Sequence, residues 1–299
     1  MPRKIEMVYS YIAFGLSLKS EIAIPELMDG DGSGDVSIRF GKADLGREAK
    51  ANGSFFKANE DEIQFNIKGS GVITVRQGRE IIIDPQPNAD PDLVRFPIIN
   101  YALASILQQR GLLVFHASAV AIDGKAAIFL GFPGSGKSTI AAAMHSCGYR
   151  VLSDEITAVQ AEGDMPMVLS GLPHIRLASE SAKYLGHDPE NMPKVRSDED
   201  KRAYSARKGF LDRAVQLKRV YVLKLGNENL LEPIGPQEAF YEMIKNYYTA
   251  GLLVKNIAPS HLKQCARVIS TVAVKSLSRA DGLSHIPDLI NLVERDIAE

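Results

Sequence analysis

One eight-residue stretch constrains the fold of this chain more than any other. Residues Gly131–Ser138 read Gly-Phe-Pro-Gly-Ser-Gly-Lys-Ser, which fits the pattern G-x-x-x-x-G-K-S/T of a phosphate-binding loop. A short apolar run of strand type, residues 126–130, precedes it. A helix-forming run, residues 139–144, follows it and should end near Gly148. A chance match in a glycine-containing turn is the alternative, but the flanking strand and helix argue against it. The sequence therefore predicts a nucleotide-binding loop, called the P-loop below.

Each residue type in the P-loop has a physical reason. Glycines let the backbone curl so that successive N–H groups point at one anion, and the helix that follows directs its positive end to the same place. Lys137 supplies a movable positive charge for the β- and γ-phosphates, and the Ser138 hydroxyl supplies a ligand for Mg²⁺. We therefore expect ATP and Mg²⁺ as ligands. The residues expected to bind the nucleotide are Gly131, Gly134, Ser135, Gly136, Lys137, Ser138 and Thr139.

Bulk properties narrow the class of protein. At 299 residues the chain can form one large domain or two. Its formal net charge of −1 provides no field that would attract nucleic acid or a membrane surface. Cys147 and Cys265 are too few for a disulfide framework, and no apolar run approaches the roughly 20 residues of a membrane span. We expect a cytoplasmic protein without nucleic-acid or membrane partners, and an oligomer is possible.

The chain changes character near residue 88. Residues 1–88 read as a small β-rich domain, since short runs of strand type alternate with Gly, Asp and Asn. The Asp/Gly-rich segment 29–35 lacks the twelfth-position Glu of an EF-hand, so it reads as a plain loop rather than a calcium loop. Prolines crowd the polar stretch 84–91, which disfavours continued sheet or helix. We therefore predict a second domain over residues 89–299.

A helix should open that second domain. Asp90 followed by Pro91 is a sound pair for the N-cap and the first helical position. The helix should run toward Arg110 and end at Gly111, and Pro97 should either kink it or mark its true start.

A hairpin leads into the P-loop. Leu112–Ile122 reads as one strand, Asp123-Gly124 as a two-residue turn of the primed type, and residues 125–130 as the returning strand. If Ile122 pairs with Lys125, then His116 lies opposite Gly131 and next to the nucleotide phosphates. An antiparallel strand that feeds directly into a phosphate loop is unusual, because parallel βαβ order dominates among such proteins.

Two acidic residues follow the next predicted strand. Residues 149–153 read as a strand that ends in Asp154 and Glu155. Carboxylates at the C-terminal end of a strand, soon after a phosphate loop, suit Mg²⁺ binding and base chemistry, although an exposed turn pair is the alternative. Further on, residues 187–214 are densely charged and read as either a mobile loop over the site or a solvated surface segment.

With this hairpin, P-loop and acid pair, the chain resembles the kinase domain of the HPr serine kinase/phosphorylase superfamily. The fold of that superfamily is akin to the fold of phosphoenolpyruvate carboxykinase. The opening residues 14–27 look like the HPr-kinase-like proteins encoded with lasso-peptide biosynthesis. The HPr kinases' own Glu-x-Arg-Gly-x-Gly stretch is incomplete here, at 205–210. The residues that carry the resemblance are Phe115–Val120, Asp123-Gly124, the P-loop, Gly148–Glu155, Gly171–Leu177 and Asp200–Tyr204.

The resemblance implies an α/β (α+β) fold, in which a P-loop domain of the PEP-carboxykinase/HPr-kinase type follows a small β-rich N-terminal domain. It implies that Asp154 is the general base and Glu155 the metal partner, although the residues alone leave that order open. His116 is expected to contact phosphate or tune the base rather than to be an ordinary strand histidine. Arg176, Lys201 and Arg202 are candidates for phosphate or acceptor contacts, with a solvated charge run as the alternative.

The implied activity is an ATP-dependent serine kinase. By resemblance, the acceptor is the C-terminal serine of a lasso precursor peptide. Two alternatives remain open: a kinase for a small molecule such as free serine, and a nucleotide-binding regulatory protein without transfer activity. The acidic pair argues against the last, because a protein that only binds nucleotide needs no base.

Overall fold

The computed structural model describes residues 8–31, 33–43, 55–58, 61–196, 199–248 and 258–299. By its contacts the chain divides into two compact units. One contains the residues up to Gly111, and the other begins at Leu112 and includes the C-terminus. Each unit is mixed in secondary structure, and the P-loop lies in the second.

The first unit is built on a sheet whose eight described strands run in the order β3-β1-β2-β4-β8-β7-β6-β5. Its first two strands form a hairpin, because Phe14 and Gly15 both adopt positive φ and reverse the chain. The strands are β1 (Tyr9–Ala13), β2 (Leu16–Ser20), β3 (Met28–Asp29), β4 (Val36–Phe40), β5 (Phe55–Ala58), β6 (Glu62–Ile67), β7 (Gly71–Arg76) and β8 (Glu80–Pro85).

A helical segment closes the first unit. Helix α1 (Pro91–Pro97) begins as predicted, with the Asp90 carboxylate accepting a hydrogen bond from the Asp92 N–H at 2.9 Å. Pro97 has no N–H to donate, and the chain widens there into a π-helical turn, Ile98–Ala102, before α2 (Leu103–Gln109).

This segment packs on the N-terminal sheet. Tyr101 lies edge-on to Phe65, with ring centroids 6.0 Å apart, and Gln109 Oε1 accepts from the Gly78 N–H at 2.8 Å. The compact units therefore divide after Gly111, whereas the sequence placed the domain boundary after residue 88.

The second unit is organised around a nine-stranded sheet in the described residues. Its main path is β12-β10-β11-β17-β14-β13-β9, and β19 and β18 extend it beside β17. The strands of the sheet are β9 (Leu113–His116), β10 (Ser118–Ile122), β11 (Lys125–Leu130), β12 (Arg150–Ser153), β13 (Ile156–Gln160), β14 (Met167–Val168), β17 (Val215–Gly226), β18 (Leu230–Pro233) and β19 (Ala273–Ala280). A separate two-stranded sheet consists of β15 (His174–Ala178) and β16 (Lys201–Ser205). The helices are α3 (Lys137–Ser146), α4 (Ser179–Tyr184), α5 (Pro236–Lys245), α6 (Pro259–Thr271) and α7 (Ile286–Ala298). Single 3-10 turns occupy Pro189–Asn191 and Leu283–His285.

Strand β11 is apolar throughout because both of its faces are covered. Ala126, Ile128 and Leu130 belong to one buried cluster with side chains of α5 and α6, whereas Ala127 and Phe129 belong to a second cluster with side chains of α3 and α7. Successive strand residues point to opposite faces, so a strand covered on both faces reads as a continuous apolar run. The strand that enters the P-loop is thus held in the centre of the unit.

The hairpin before the P-loop is formed as predicted, but its first strand is shorter. Ile122 pairs with Lys125, and positive φ at Asp123 and Gly124 gives a turn of the primed type. The expected long strand breaks at Ala117. Strand β10 pairs with β11 and β12, whereas β9 pairs with β13, where His116 faces Ile156. The predicted pairing of His116 with the first P-loop residue is therefore wrong.

The charged segment 187–214 is partly regular. Its strand β16 pairs with β15, and Lys201 and Arg202 lie in that strand.

Candidate active site

The P-loop needs glycine at its first position. Gly131 has φ of 145°, and a Cβ there would lie 2.7 Å from the Leu223 carbonyl oxygen and from Ser135 Oγ. Gly136, at φ of 103°, is the N-cap of α3 in a left-handed conformation. The glycines therefore allow the tight curl and its close approach to β17.

The Lys137 ammonium lies in the curve of the loop. Its Nζ donates to the carbonyl oxygens of Gly131 at 2.7 Å and Phe132 at 3.1 Å. The residue is buried, and burial lowers the pKa of its ammonium, against which Glu155 and Asp154 act. A buried cation held by two carbonyls is positioned to meet an anion at the loop.

Asp154 joins the P-loop helix to strand β12. Its Oδ1 accepts from Ser118 Oγ at 2.5 Å and from Ser138 Oγ at 3.0 Å, and its Oδ2 accepts from the Arg176 N–H at 2.9 Å. Burial raises the pKa of this carboxyl and the charge of Glu155 raises it further, whereas the three hydrogen bonds lower it. Asp154 is thus a buried acid fixed against the residue expected to bind Mg²⁺.

Glu155 occupies a strained turn. Its φ is +66°, which a residue with a side chain rarely adopts, and the Ile156 N–H donates to the Asp154 carbonyl oxygen at 2.8 Å. A bond between residues two apart defines a γ-turn, and positive φ at the middle residue is its rarer, strained form. Such strain is concentrated at functional sites. The turn allows two successive acidic side chains to line one pocket, which a straight strand would not.

Cations surround the Glu155 carboxylate. Lys201 Nζ lies 3.3 Å from Oε1, and Arg176 Nη1 lies 3.7 Å from Oε2. Burial raises the pKa of Glu155, but the positive charges of Arg176 and Lys201 outweigh it and hold the pKa at about 2. Glu155 is therefore ionised at neutral pH.

His116 lies on the other side of Glu155. Its Nδ1 is 3.5 Å from Glu155 Oε2, and its ring stacks on Tyr248 with centroids 6.2 Å apart. Burial lowers the pKa of His116 to about 4, with Glu155 acting in the opposite direction and Lys137 assisting the decrease. A neutral imidazole beside a carboxylate can accept a proton from a substrate.

Asn246 links His116 to the P-loop, and sequence reasoning missed it. Its Oδ1 accepts from the Gly131 N–H at 2.9 Å, and its backbone carbonyl accepts from the His116 N–H at 2.9 Å. Asn246 follows the last residue of α5, so its side chain and backbone can serve two neighbours outside the helix. Asn is a common residue at helix ends, which was the one available signal.

Arg279 is the second residue that sequence reasoning missed. It lines the same pocket, and its Nε donates to the Ser135 carbonyl oxygen at 2.7 Å. Strand β19 runs parallel to β17, which runs parallel to β11, so the C-terminal ends of these strands meet at the P-loop edge. A cation shortly after the strand-type run 272–277 was the available signal.

One pocket of about 240 Å³ collects most of the predicted site residues. It is lined by P-loop residues, by His116, Asp154 and Glu155, and by Arg176 and Lys201. Arg202 is not among its lining residues: its Nε donates to the Pro189 carbonyl oxygen at 2.8 Å, and it lies near Glu190 and Asp200. Arg202 therefore supports the 3-10 turn at Pro189–Asn191.

The pocket could hold a metal ion through side-chain oxygens acting together with the phosphate oxygens of a bound ligand. Among the residues that the structure describes, no group of three or more His, Cys, Asp and Glu side chains is arranged to hold a metal ion. Ser138 and Asp154 supply a hydroxyl and a carboxylate, which are hard ligands of the kind Mg²⁺ prefers, and Mg²⁺ commonly adds substrate phosphates to one or two carboxylates. The residues present thus fit a Mg²⁺–nucleotide complex.

Among the described residues, no helix has the length and apolar character needed to cross a bilayer.

Comparison with solved structures found matches for this chain, whereas the two comparisons based on sequence did not. No protein-family model matches this chain, and no curated protein matches it. Among solved structures, the HPr(Ser) kinase/phosphatase from Coxiella burnetii is similar over 61% of this chain and 88% of that one, with 11% sequence identity and a TM-score of 0.32. A similarity this low establishes neither the fold nor the chemistry of this chain.

Proposed function

We propose that this protein is an ATP-dependent kinase that transfers the γ-phosphoryl group to a serine hydroxyl of a peptide or protein. The observation that carries the proposal is the contact of Ser138 Oγ with Asp154 Oδ1 at 3.0 Å, in the pocket that also contains Lys137, Glu155 and His116. Phosphate binding alone does not require a second acid and an imidazole beside the P-loop.

Phosphoryl transfer asks a protein mainly for positioning and charge neutralisation. In this proposal the P-loop N–H groups and Lys137 hold the phosphates. The acceptor oxygen forms a bond to the γ-phosphorus while the bond from that phosphorus to the β–γ bridging oxygen breaks. The products are ADP and a phosphoserine, and the hydroxyl proton passes to the pair formed by His116 and Glu155.

The two acids receive different roles. Asp154 shares the Ser138 hydroxyl, so these two residues would hold Mg²⁺, which neutralises charge on the β- and γ-oxygens when bound. Both acids are engaged by protein donors, Asp154 through three hydrogen bonds and Glu155 through Lys201 and Arg176. Glu155 alone lies beside the imidazole of His116, with Nδ1 3.5 Å from its Oε2. This favours Glu155 with His116 on the acceptor side, the reverse of the order that the resemblance implies.

The proposed acceptor is the C-terminal serine of a lasso precursor peptide. A terminal serine carries its own carboxylate close to the hydroxyl, and Arg176 and Lys201 contribute positive charge next to Glu155. These cations would favour an anionic chain end near the transferred phosphate.

A labelled-ATP experiment separates this function from its alternatives. The protein is incubated with Mg²⁺, labelled ATP and one of three additions: a serine-ended peptide, free serine, or buffer. Label on the peptide supports the proposal, and the same peptide ending in alanine should stay unlabelled. Phosphorylated free serine with an unlabelled peptide would favour a small-molecule kinase. ATP that is bound but returned intact in every arm would favour a regulatory protein and contradict the proposal.

A further inference from the structure

The pocket continues beyond the acids to a wall of aliphatic side chains. Three successive residues of α3 face different walls, because a helix turns by about 100° per residue. Ser138 donates to Asp154, the Thr139 hydroxyl lies 3.0 Å from Ser181 Oγ in α4, and Ile140 is buried in the core cluster shared with α7. The pocket therefore extends from the acids, past Thr139, toward α4 and α7.

We call this extension the α4–α7 cleft and define it by two walls. Leu283, Ile286 and Leu289 form the aliphatic wall, in which Leu283 is half-buried and the other two belong to the core. The first turn of α4, with Glu180 and Ser181, forms the facing wall. Such aliphatic groups have no part in phosphate binding.

The chemistry of a nucleoside triphosphate matches this division. Its phosphates need the amides and cations of the P-loop, whereas the base has flat, weakly polar faces that gain from apolar contact. Lys137 serves the β- and γ-phosphates, so the nucleoside must leave the P-loop on the side away from the acids. Arg279, tied to the loop through Ser135, also lines the pocket.

From this arrangement, and depending on the proposed function, we infer that the α4–α7 cleft seats the nucleoside, with the base against Leu283, Ile286 and Leu289. Apolar contact with this wall then supplies the part of the affinity that the phosphates do not.

The test compares Mg²⁺-ADP with Mg²⁺-pyrophosphate by titration calorimetry, since both contain a diphosphate and only ADP carries a nucleoside. Wild-type protein should bind ADP at least about tenfold more tightly than pyrophosphate. Leu283→Asp should remove about that factor for ADP and change pyrophosphate affinity by less than about twofold. Leu225→Asp is the matched control, because Leu225 is 63% exposed and does not line the pocket.

Equal wild-type affinity for the two ligands would overturn the inference, and so would an equal loss of both in Leu283→Asp. If that variant does not fold, Leu283→Ala should show a smaller loss that is still confined to ADP, and a loss of pyrophosphate binding would count against the cleft. A wild-type protein that binds neither ligand would instead remove the proposed function itself.

Discussion

Ser138 donates a hydrogen bond to Asp154 Oδ1 at 3.0 Å, which joins the first turn of the P-loop helix to the end of strand β12. The same oxygen accepts from Ser118 in β10, so one carboxylate ties three elements together. A hydroxyl and a carboxylate in contact beside a phosphate loop form the side of the pocket suited to a divalent cation. In the proposed function, this contact assigns Asp154 to Mg²⁺ binding and leaves Glu155, beside His116, on the acceptor side.

Asp154→Asn should reduce the Mg²⁺ dependence of nucleotide binding. The amide keeps the shape but loses the charge, and its NH₂ group cannot accept the hydrogen bonds that a carboxylate accepts. We expect the gain in ADP affinity on adding Mg²⁺ to fall by about 10- to 100-fold, measured by calorimetry with and without the ion. Glu155→Gln is the matched variant, since it should keep that gain and lose turnover. An unchanged Mg²⁺ response in Asp154→Asn would contradict the assignment.

Lys137→Ala should weaken nucleotide binding. The substitution removes a charge-assisted contact that contributes about 1.5–3 kcal/mol, so the Kd for Mg²⁺-ADP should rise by about 10- to 100-fold. Lys125→Ala provides the control, because Lys125 is exposed at the end of β11 that is remote from the P-loop. Equal effects of the two substitutions would mean that Lys137 has no special role.

His116 should titrate far below an ordinary histidine. Its pKa of about 4 lies below the usual 6.5 because burial disfavours the charged ring. NMR of ¹³C-histidine-labelled protein should show this midpoint, and Glu155→Gln should lower it further, since Glu155 raises it. Bound Mg²⁺-ADP should raise it, because phosphate charge favours imidazolium. A midpoint near 6.5 in the free protein would exclude the buried, neutral form.

The same pKa sets the sign of a stability effect. The unfolded chain takes up the proton on His116 first, so this contribution to stability is present above pH 6.5 and is lost as the pH falls toward 4. Relative to wild type, His116→Gln should lose less stability over that interval in thermal unfolding. A parallel decline in both proteins would assign the acid sensitivity to other groups.

Asn246→Ala should leave the first amide of the P-loop without its partner. An unpaired buried donor costs about 1–3 kcal/mol, which should appear as a melting temperature several degrees lower and as reduced turnover. The backbone bond from His116 to residue 246 does not depend on the side chain. The substitution removes two side-chain bonds together, the one from the Gly131 N–H and the one that Asn246 Nδ2 donates to the Glu242 carbonyl oxygen at 2.8 Å. Asn227→Ala, at an exposed position, should change neither quantity.

The local parts of the site were predictable from sequence, and the long-range parts were not. An eight-residue motif and an Asp-Gly turn carry their own geometry, so the P-loop, the hairpin and the pairing of Ile122 with Lys125 could be read directly. The acid pair could be located but not oriented, since the strained turn at Glu155 depends on the elements around it. The break at Ala117 arises because β9 and β10 pair with different strands, and such choices leave no local pattern.

No rule based on sequence spacing could predict which residues distant in sequence contact the P-loop. Arg279 contacts Ser135 across 144 residues, and the Arg202 side chain is engaged by a turn that composition does not reveal. A run of charges predicts solvent exposure, yet Arg176 and Lys201 form ion pairs with one acid. Charge near a motif therefore predicts candidates, and only the packing separates pocket residues from their neighbours.

The bond from the Gly131 amide to Asn246 also has a consequence for synthesis. The two residues are 115 positions apart, so at about 5–20 residues per second a ribosome makes the motif roughly 6–23 s before it makes the asparagine. Throughout that interval the nascent chain carries a complete phosphate-binding signature whose first amide has not met its native acceptor. Full nucleotide affinity should therefore develop late in translation. A fragment released before residue 246 would contain the motif without its native loop geometry.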